Sequence, residues 1–157
     1  MTVYKIVVAY DGTAYHGWQY QPGATTVSQA LADAFSAVFS QQIFILGVSR
    51  TDKGVHALGQ VAIAQTVVDI DVTVMLRAWS KALSPDIVIK QIEKLDKLIH
   101  PHDGVKQKTY HYHFFTQRPM PFVQRYGWYI HRPIDFDLLL EALNIFVGTH
   151  DFRSFCT

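Results

Sequence analysis

Hydrophobic and polar positions along the chain divide it into segments of clear period. Residues 3–12, VYKIVVAYDG, are an apolar run of strand length closed by the breaker Asp11-Gly12. Residues 13–23 form an aromatic loop bearing glycine and proline. From Thr25 to Phe39 the apolar residues Val27, Ala30, Leu31, Ala34, Phe35, Val38 and Phe39 recur at helical spacing. Thr26 with Gln29 three positions later predicts a capping box at the start of that helix. Two short apolar runs follow, QIFILGV and GQVAIAQT, each long enough for one strand. VTVMLRAWSKALS predicts a helix that stops before Pro85, and DIVIKQIEKL predicts a strand. In KQKTYHYHFFTQ the residues alternate, with Tyr110, Tyr112 and Phe114 on one face and His111, His113 and Phe115 on the other. DFDLLLEALNIFVG predicts a last helix with Gly148 at its end. Its stripe of Phe136, Leu139, Leu140, Leu143 and Phe146 needs an apolar partner, which the strands already present could supply.

The resulting order, β-α-β-β-α-β-β-α, predicts an α+β fold in which helices cover one face of a sheet. The chain has 157 residues, the size of one domain or of part of a larger one. No apolar run approaches the ~20 residues that span a bilayer. The N-terminus lacks the succession of a secretory signal. The single cysteine, Cys156, excludes an internal disulfide and suits a reducing compartment, so a cytoplasmic domain is expected.

Net charge is only +1, which by itself does not announce a nucleic-acid binder. Its distribution says more. Residues 100–132 hold Lys106, Lys108, Arg118, Arg125 and Arg132 against one acid, Asp103, and five of the eight histidines. A phosphate-facing surface and a merely solvated one are both compatible with that cluster.

One stretch does not fit the alternation of elements. Between two strand-like runs, VSRTDKGVH sets Arg50, Asp52, Lys53 and His56 within seven positions. Asp and Gly alone would make a turn, and the other polar residues would then be decoration. The functional alternative is a carboxylate kept anionic by a nearby guanidinium. Such a group serves as nucleophile, general base or electrostatic stabiliser, and spacing does not choose among them. The pairs His100/His102 and His111/His113 are spaced so as to share an ion on a strand face, but no Cys pair, HExxH or carboxylate set accompanies them. No Walker A, GxGxxG or GxSxG pattern is present.

VSRTDKGVHALGQV resembles the catalytic motif of the TruA-type tRNA pseudouridine synthases, written around G-R-T-D-x-G-V-H-A. The likeness continues in YDGTAYHGWQYQPGATTVSQALADAF, ALSPDIVI, KTYHYHFF and FVGTHDFRSF, in the family's order. The resemblance implies an α+β pseudouridine synthase fold, with a mixed or antiparallel sheet, here incomplete, and helices on one face. It implies that Asp52 is the nucleophile bonding covalently to a flipped uridine, at C1′ or at C6. Arg50 would pair with it or fill the space left by the base. Tyr110 would stack on the uracil. Lys53, His56 and Lys108 are the remaining substrate-binding candidates. The substrate implied is tRNA, at uridines of the anticodon stem-loop, with neither metal nor redox cofactor, in an enzyme that commonly forms homodimers.

Departures from the pattern are local, save one. Ser49 and Lys53 stand where glycine and a small residue are usual, and KQKTYHYH is less arginine-rich than its counterpart. Family members continue well beyond DFRSF into a second half that completes the sheet and the cleft. Residues 1–157 are thus expected to be the N-terminal, motif-bearing part of such an enzyme, with little activity alone. The alternative is a non-catalytic RNA-binding remnant of the same fold.

Overall fold

The computed structural model describes residues 1–101 and 103–155. Cys156 and His102 lie outside the described residues. The chain forms two compact units, residues 1–108 and 109–157.

In the first unit, β1 (Thr2–Tyr10) is followed by a 3-10 turn (Gly12–Ala14), α1 (Val27–Phe39), β2 (Ile43–Gly47), β3 (Ala57–Thr66), α2 (Val72–Ala82) and β4 (Ile87–Leu95). The strands form one sheet in the order β2-β3-β1-β4, with every neighbouring pair antiparallel. This is the split β-α-β arrangement of ferredoxin-like domains. Strand alternation puts Tyr4, Ile6, Val8 and Tyr10 of β1 on the buried face, beside Ala62 and Ala64 of β3. Val27, Leu31 and Phe35 of α1 and Met75 and Trp79 of α2 close over them, all fully buried. Trp79 donates its Nε1–H to the Leu31 carbonyl at 2.9 Å and meets Phe35 edge-on at 5.0 Å, which locks the two helices together. The other face is more polar at its edge, where Lys5 pairs with Glu93 at 3.0 Å in the open. The α+β expectation, with helices on one face, holds.

Two irregularities flank the end of β1. Opposite Ala9, β3 carries an extra residue at Leu58–Gly59, and β4 carries Lys90 as an extra residue between Val7 and Val8 of β1. Bulges strengthen local twist and re-aim the chain beyond them, and they gather beside functional sites.

The capping box forms only in position. Thr26 is the residue before α1, but its side chain makes no cap, and Gln29 turns instead to Asp33 at 2.6 Å. The first helical N–H groups are already taken: Val27 donates to the Gly17 carbonyl at 3.1 Å and Ser28 to that of Trp18 at 3.1 Å. Thr26 Oγ1 is left buried without a hydrogen bond among the described residues.

The second unit departs further from the sequence pattern. The strand expected over KQKTYHYHFFTQ shrinks to β5 (Phe114–Phe115), paired in parallel with a strand the sequence did not suggest, β6 (Trp128–Tyr129). Alternation is a condition for a strand, and a ladder partner is another; Trp128–Tyr129 supplies only two residues of it. The alternation itself survives, since the rings of His111 and His113 lie parallel at 6.0 Å. The last helix, α3 (Phe136–Asn144), is capped by Asp135 accepting from Leu138 N–H at 3.0 Å, and stops short of Gly148. Ile145, Phe146 and Val147 each bond back three residues rather than four, so the helix tightens and ends. The apolar stripe of α3 stays largely uncovered: Phe136, Leu140, Leu143 and Phe146 are each at least half exposed. Stacking of Phe114 on Phe136 at 6.3 Å is the strand pair's contribution.

Candidate active site

The stretch between β2 and β3 lies where three chain segments meet at one end of the sheet. Tyr10, the last residue of β1, faces Ala57 of β3 on one side and Ile87 of β4 on the other. Residues 11–18 leave β1 at this end, and residues 48–56 cross it on their way from β2 to β3. The loop begins with Val48 N–H donating to the Val61 carbonyl at 2.9 Å. Beyond that it is held chiefly by the 10–18 segment.

Those holds run through main chain or buried side chains. Trp18 N–H donates to the Thr51 carbonyl at 3.0 Å, and Gly54 N–H to the Tyr15 carbonyl at 3.2 Å. The hydroxyls of Tyr10 and Thr51 share a hydrogen bond at 2.8 Å. Gln60, turned inward just after the β3 bulge, donates to the Ser49 carbonyl. Val55 N–H closes a tight turn onto the Asp52 carbonyl at 3.1 Å. Two glycines let the segments approach. A Cβ on Gly12 would overlap the Val55 carbonyl, and one on Gly17 would overlap that of Thr51. Gly17 also sits at φ +87°, a left-handed conformation that side chains disfavour.

A second layer braces the 11–18 segment. Asp11 N–H donates to the Asp86 carbonyl at 2.9 Å, and the Tyr15 hydroxyl donates to the Asp86 carboxylate at 2.8 Å. Burial first, and then the Asp86 carboxylate that accepts its proton, push the Tyr15 phenol up to about 12. Burial likewise raises the Tyr10 phenol, partly opposed by its bond to Thr51. Both tyrosines therefore stay neutral donors across the physiological range.

Against this frame the sequence candidates take different places. Asp52 is exposed at the head of the turn, and its carboxylate makes no hydrogen bond or ion pair among the described residues. Arg50 is exposed as well, and the guanidinium–carboxylate pair expected between them does not form here. Both side chains leave a solvent-facing stretch of the loop, where water screens the pair. Lys53 is exposed in the turn. His56 is half-buried and turned to the scaffold: its Nδ1 lies 3.0 Å from Asp11 Oδ1 and 3.2 Å from Gly12 N. Lys108, exposed, ends the first unit, and Tyr110, 66% exposed, belongs to the second. Arg50, Asp52, Lys53 and His56 thus share one loop.

Sequence reasoning missed Tyr10, Asp11, Tyr15, Gly17 and Asp86 as parts of this site. The signal was present in the breaker Asp11-Gly12 and in the density of aromatics and glycines over 10–18, which reads as a bare loop until the segment it packs against is known. Among the described residues no group of three His, Cys, Asp or Glu is placed to hold a metal ion. No helix among them is long and apolar enough to cross a membrane.

Comparison with known proteins agrees with the motif. A family model described as tRNA pseudouridine synthase matches residues 6–102, which include the Asp52 loop and nearly all of the four-stranded sheet. The tRNA pseudouridine synthase A of Thermoanaerobacter sp. (strain X514) is 39% identical over 151 residues, covering 96% of this chain and 62% of that protein. The tRNA pseudouridine synthase A 1 of Protochlamydia amoebophila (strain UWE25) is 38% identical over 157 residues, covering 99% of this chain and 61% of that protein. The protein of the same name, tRNA pseudouridine synthase A, from Dictyoglomus thermophilum is 36% identical over 159 residues, covering 99% and 65% respectively. The chain therefore spans less than two thirds of the length of these relatives. With the Asp52 loop and nearly all of the sheet that carries it inside the matched residues 6–102, the chain belongs to the tRNA pseudouridine synthase family.

Proposed function

We propose that this chain is the nucleophile-bearing part of an isomerase that converts uridine to pseudouridine in the anticodon stem-loop of tRNA. The observation that carries the reading is the exposed, unengaged carboxylate of Asp52 on a turn whose peptide groups are fixed from both sides. The target base leaves its stack, which costs a few kcal/mol. A carboxylate oxygen of Asp52 bonds to the nucleoside, at C1′ of the ribose or C6 of the ring. The C1′–N1 bond breaks, the base turns, C5 bonds to C1′, the bond to Asp52 breaks with its electron pair returning to the carboxylate, and the C5 proton is released as N1 gains one; the net change is an isomerisation. Uncoupled from Asp52, Arg50 is available to occupy the space vacated by the base. Tyr110, exposed in the second unit, offers a stacking platform worth about 1–3 kcal/mol per base. Lys53 and Lys108 offer exposed cations to RNA phosphates.

The relatives' extra length supports reading residues 1–157 as the N-terminal, motif-bearing part of a longer enzyme with low turnover in isolation; that this enzyme is cytoplasmic and works as a homodimer is what the motif resemblance implies. The test is Asp52→Ala, assayed with protein in excess over tRNA so that a slow rate is still read, by release of tritium from C5-labelled uridine. Conversion should vanish while tRNA binding persists. A variant converting tRNA as fast as the parent would end the proposal. Binding without conversion by the parent chain, even in excess, would favour the RNA-binding remnant instead.

A further inference from the structure

Among the described residues the Asp52 side chain makes no hydrogen bond or ion pair that could aim it, so its position is that of the turn 52–55. What holds the far end of that turn is His56. Its imidazole Nδ1 faces two groups of the segment leaving β1, the Asp11 carboxylate at 3.0 Å and the Gly12 N–H at 3.2 Å. Nδ1 accepts from the Gly12 N–H, and the approach of the ring to the Asp11 carboxylate adds a second contact with the same segment. Asp11 is itself fixed, because its Oδ1 accepts from Thr13 N–H at 3.0 Å and its own N–H is tied to Asp86. Gly12, beside it, lies against the Val55 carbonyl with no room for a side chain.

We infer that the contact of His56 with Asp11 and Gly12 is a latch that sets where the Asp52 turn sits, which makes His56 a positioning residue rather than a substrate contact. The latch stands on this geometry; its effect on turnover rests on the reading of Asp52 as nucleophile. It joins the two ends of the loop's support: Trp18 and Tyr10 grip Thr51 just before Asp52, and Asp11 and Gly12 grip His56 just after. Loss of the His56 grip leaves the turn held by Thr51 and by the single Gly54–Tyr15 main-chain bond. The half-buried setting of His56 and Asp11, with side chains 33% and 21% exposed, shields the contact from full competition by water.

Amide hydrogen exchange on the 157-residue chain reads the latch without catalysis. His56→Ala should speed exchange at Gly54 and Val55, the two turn amides bonded to Tyr15 and Asp52, by about tenfold or more, with β1 and β3 amides unchanged. His56→Asn places an amide near the position of Nδ1 and should restore most of the protection. Where conversion of tRNA is measurable, His56→Ala should lower the single-turnover rate without weakening tRNA binding, and His56→Asn should recover it. Unchanged exchange at Gly54 and Val55 in His56→Ala would overturn the inference. So would equal acceleration throughout the sheet, which marks a merely structural residue, or the absence of rescue by asparagine. Asp52→Ala separates the two readings. If it still converts tRNA, the nucleophile assignment fails, while the exchange data go on deciding the latch.

Discussion

Replacement of Gly17 by alanine tests the claim that the 11–18 segment carries the Asp52 loop. Two costs combine at this position. The backbone sits at φ +87°, and forcing an L side chain into left-handed space costs about 1–2 kcal/mol. The new methyl would also overlap the Thr51 carbonyl, with the Asp52 and Lys53 backbone close behind. These are main-chain atoms that cannot swing aside as a side-chain tip would, and overpacking of this kind costs about 1–3 kcal/mol. Together the loss is about 2–5 kcal/mol. Gly23 supplies the control. It has φ +76° in the Gln21–Ala24 turn, with open space where a Cβ would go, so Gly23→Ala incurs the conformational cost alone. Urea unfolding followed by tryptophan fluorescence compares the two, since Trp18 and Trp79 are buried in the first unit. Gly17→Ala should lose about 1–3 kcal/mol more than Gly23→Ala, and its Gly54 and Val55 amides should exchange faster. Equal losses for the two variants would show that Gly17 does not bear on the loop.

Two further outcomes follow from the same packing. Trp79→Phe withdraws a buried donor from the Leu31 carbonyl and should destabilise the first unit by about 1–3 kcal/mol before any cavity cost; a loss below about 0.5 kcal/mol in urea unfolding would contradict that role. The Tyr15 phenol, near 10 in an unfolded chain and about 12 when folded, should favour the folded state fully below pH 10 and cease to do so as pH rises toward 12. Tyr15→Phe should therefore flatten part of the alkaline loss of stability between pH 9 and 11.5, and identical pH slopes for parent and variant would refute the assignment.

The first unit was readable because each of its segments states one period. The 3.6-residue spacing of Val27, Leu31, Ala34 and Phe35 and the strand-length runs around it have no competing interpretation once a sheet exists to bury them. Even the bulge left a sign, as Gly59 inside a strand pattern marks a break in the ladder. The failures have physical causes. Thr26 and Gln29 match a capping box, but carbonyls of Gly17 and Trp18 take the N–H groups of Val27 and Ser28, and the Gln29 side chain turns to Asp33. The 106–117 segment alternates without a ladder to join, and the α3 stripe finds few apolar contacts. In the site, the motif named the loop and the residue at its tip, whereas its supports lie 30 or more positions away and depend on strand order. Tyr10 reads as one more alternating strand residue until β3 is laid beside β1.

The absence of an Arg50–Asp52 pair suits a nucleophile better than its presence would. A carboxylate engaged by a guanidinium must surrender charge-assisted hydrogen bonds before it can share an electron pair with carbon, and that loss adds to the barrier. Free in solvent, it has only mobile water to shed but loses aim, and misplacement by about 1 Å can cost about a hundredfold in rate. This loop separates the two demands. Aim is supplied by peptide groups and by residues on either side of Asp52, through Trp18, Tyr10, Tyr15 and the Asp11–His56 contact, none of which touches its oxygens. Under the proposed function, desolvation is left to the arriving nucleoside, which would displace water from a carboxylate already in position. On the proposed reading the Asp52 carboxylate sheds its water only when RNA covers the turn, so substitutions in the supports should slow conversion of bound tRNA and leave its capture intact.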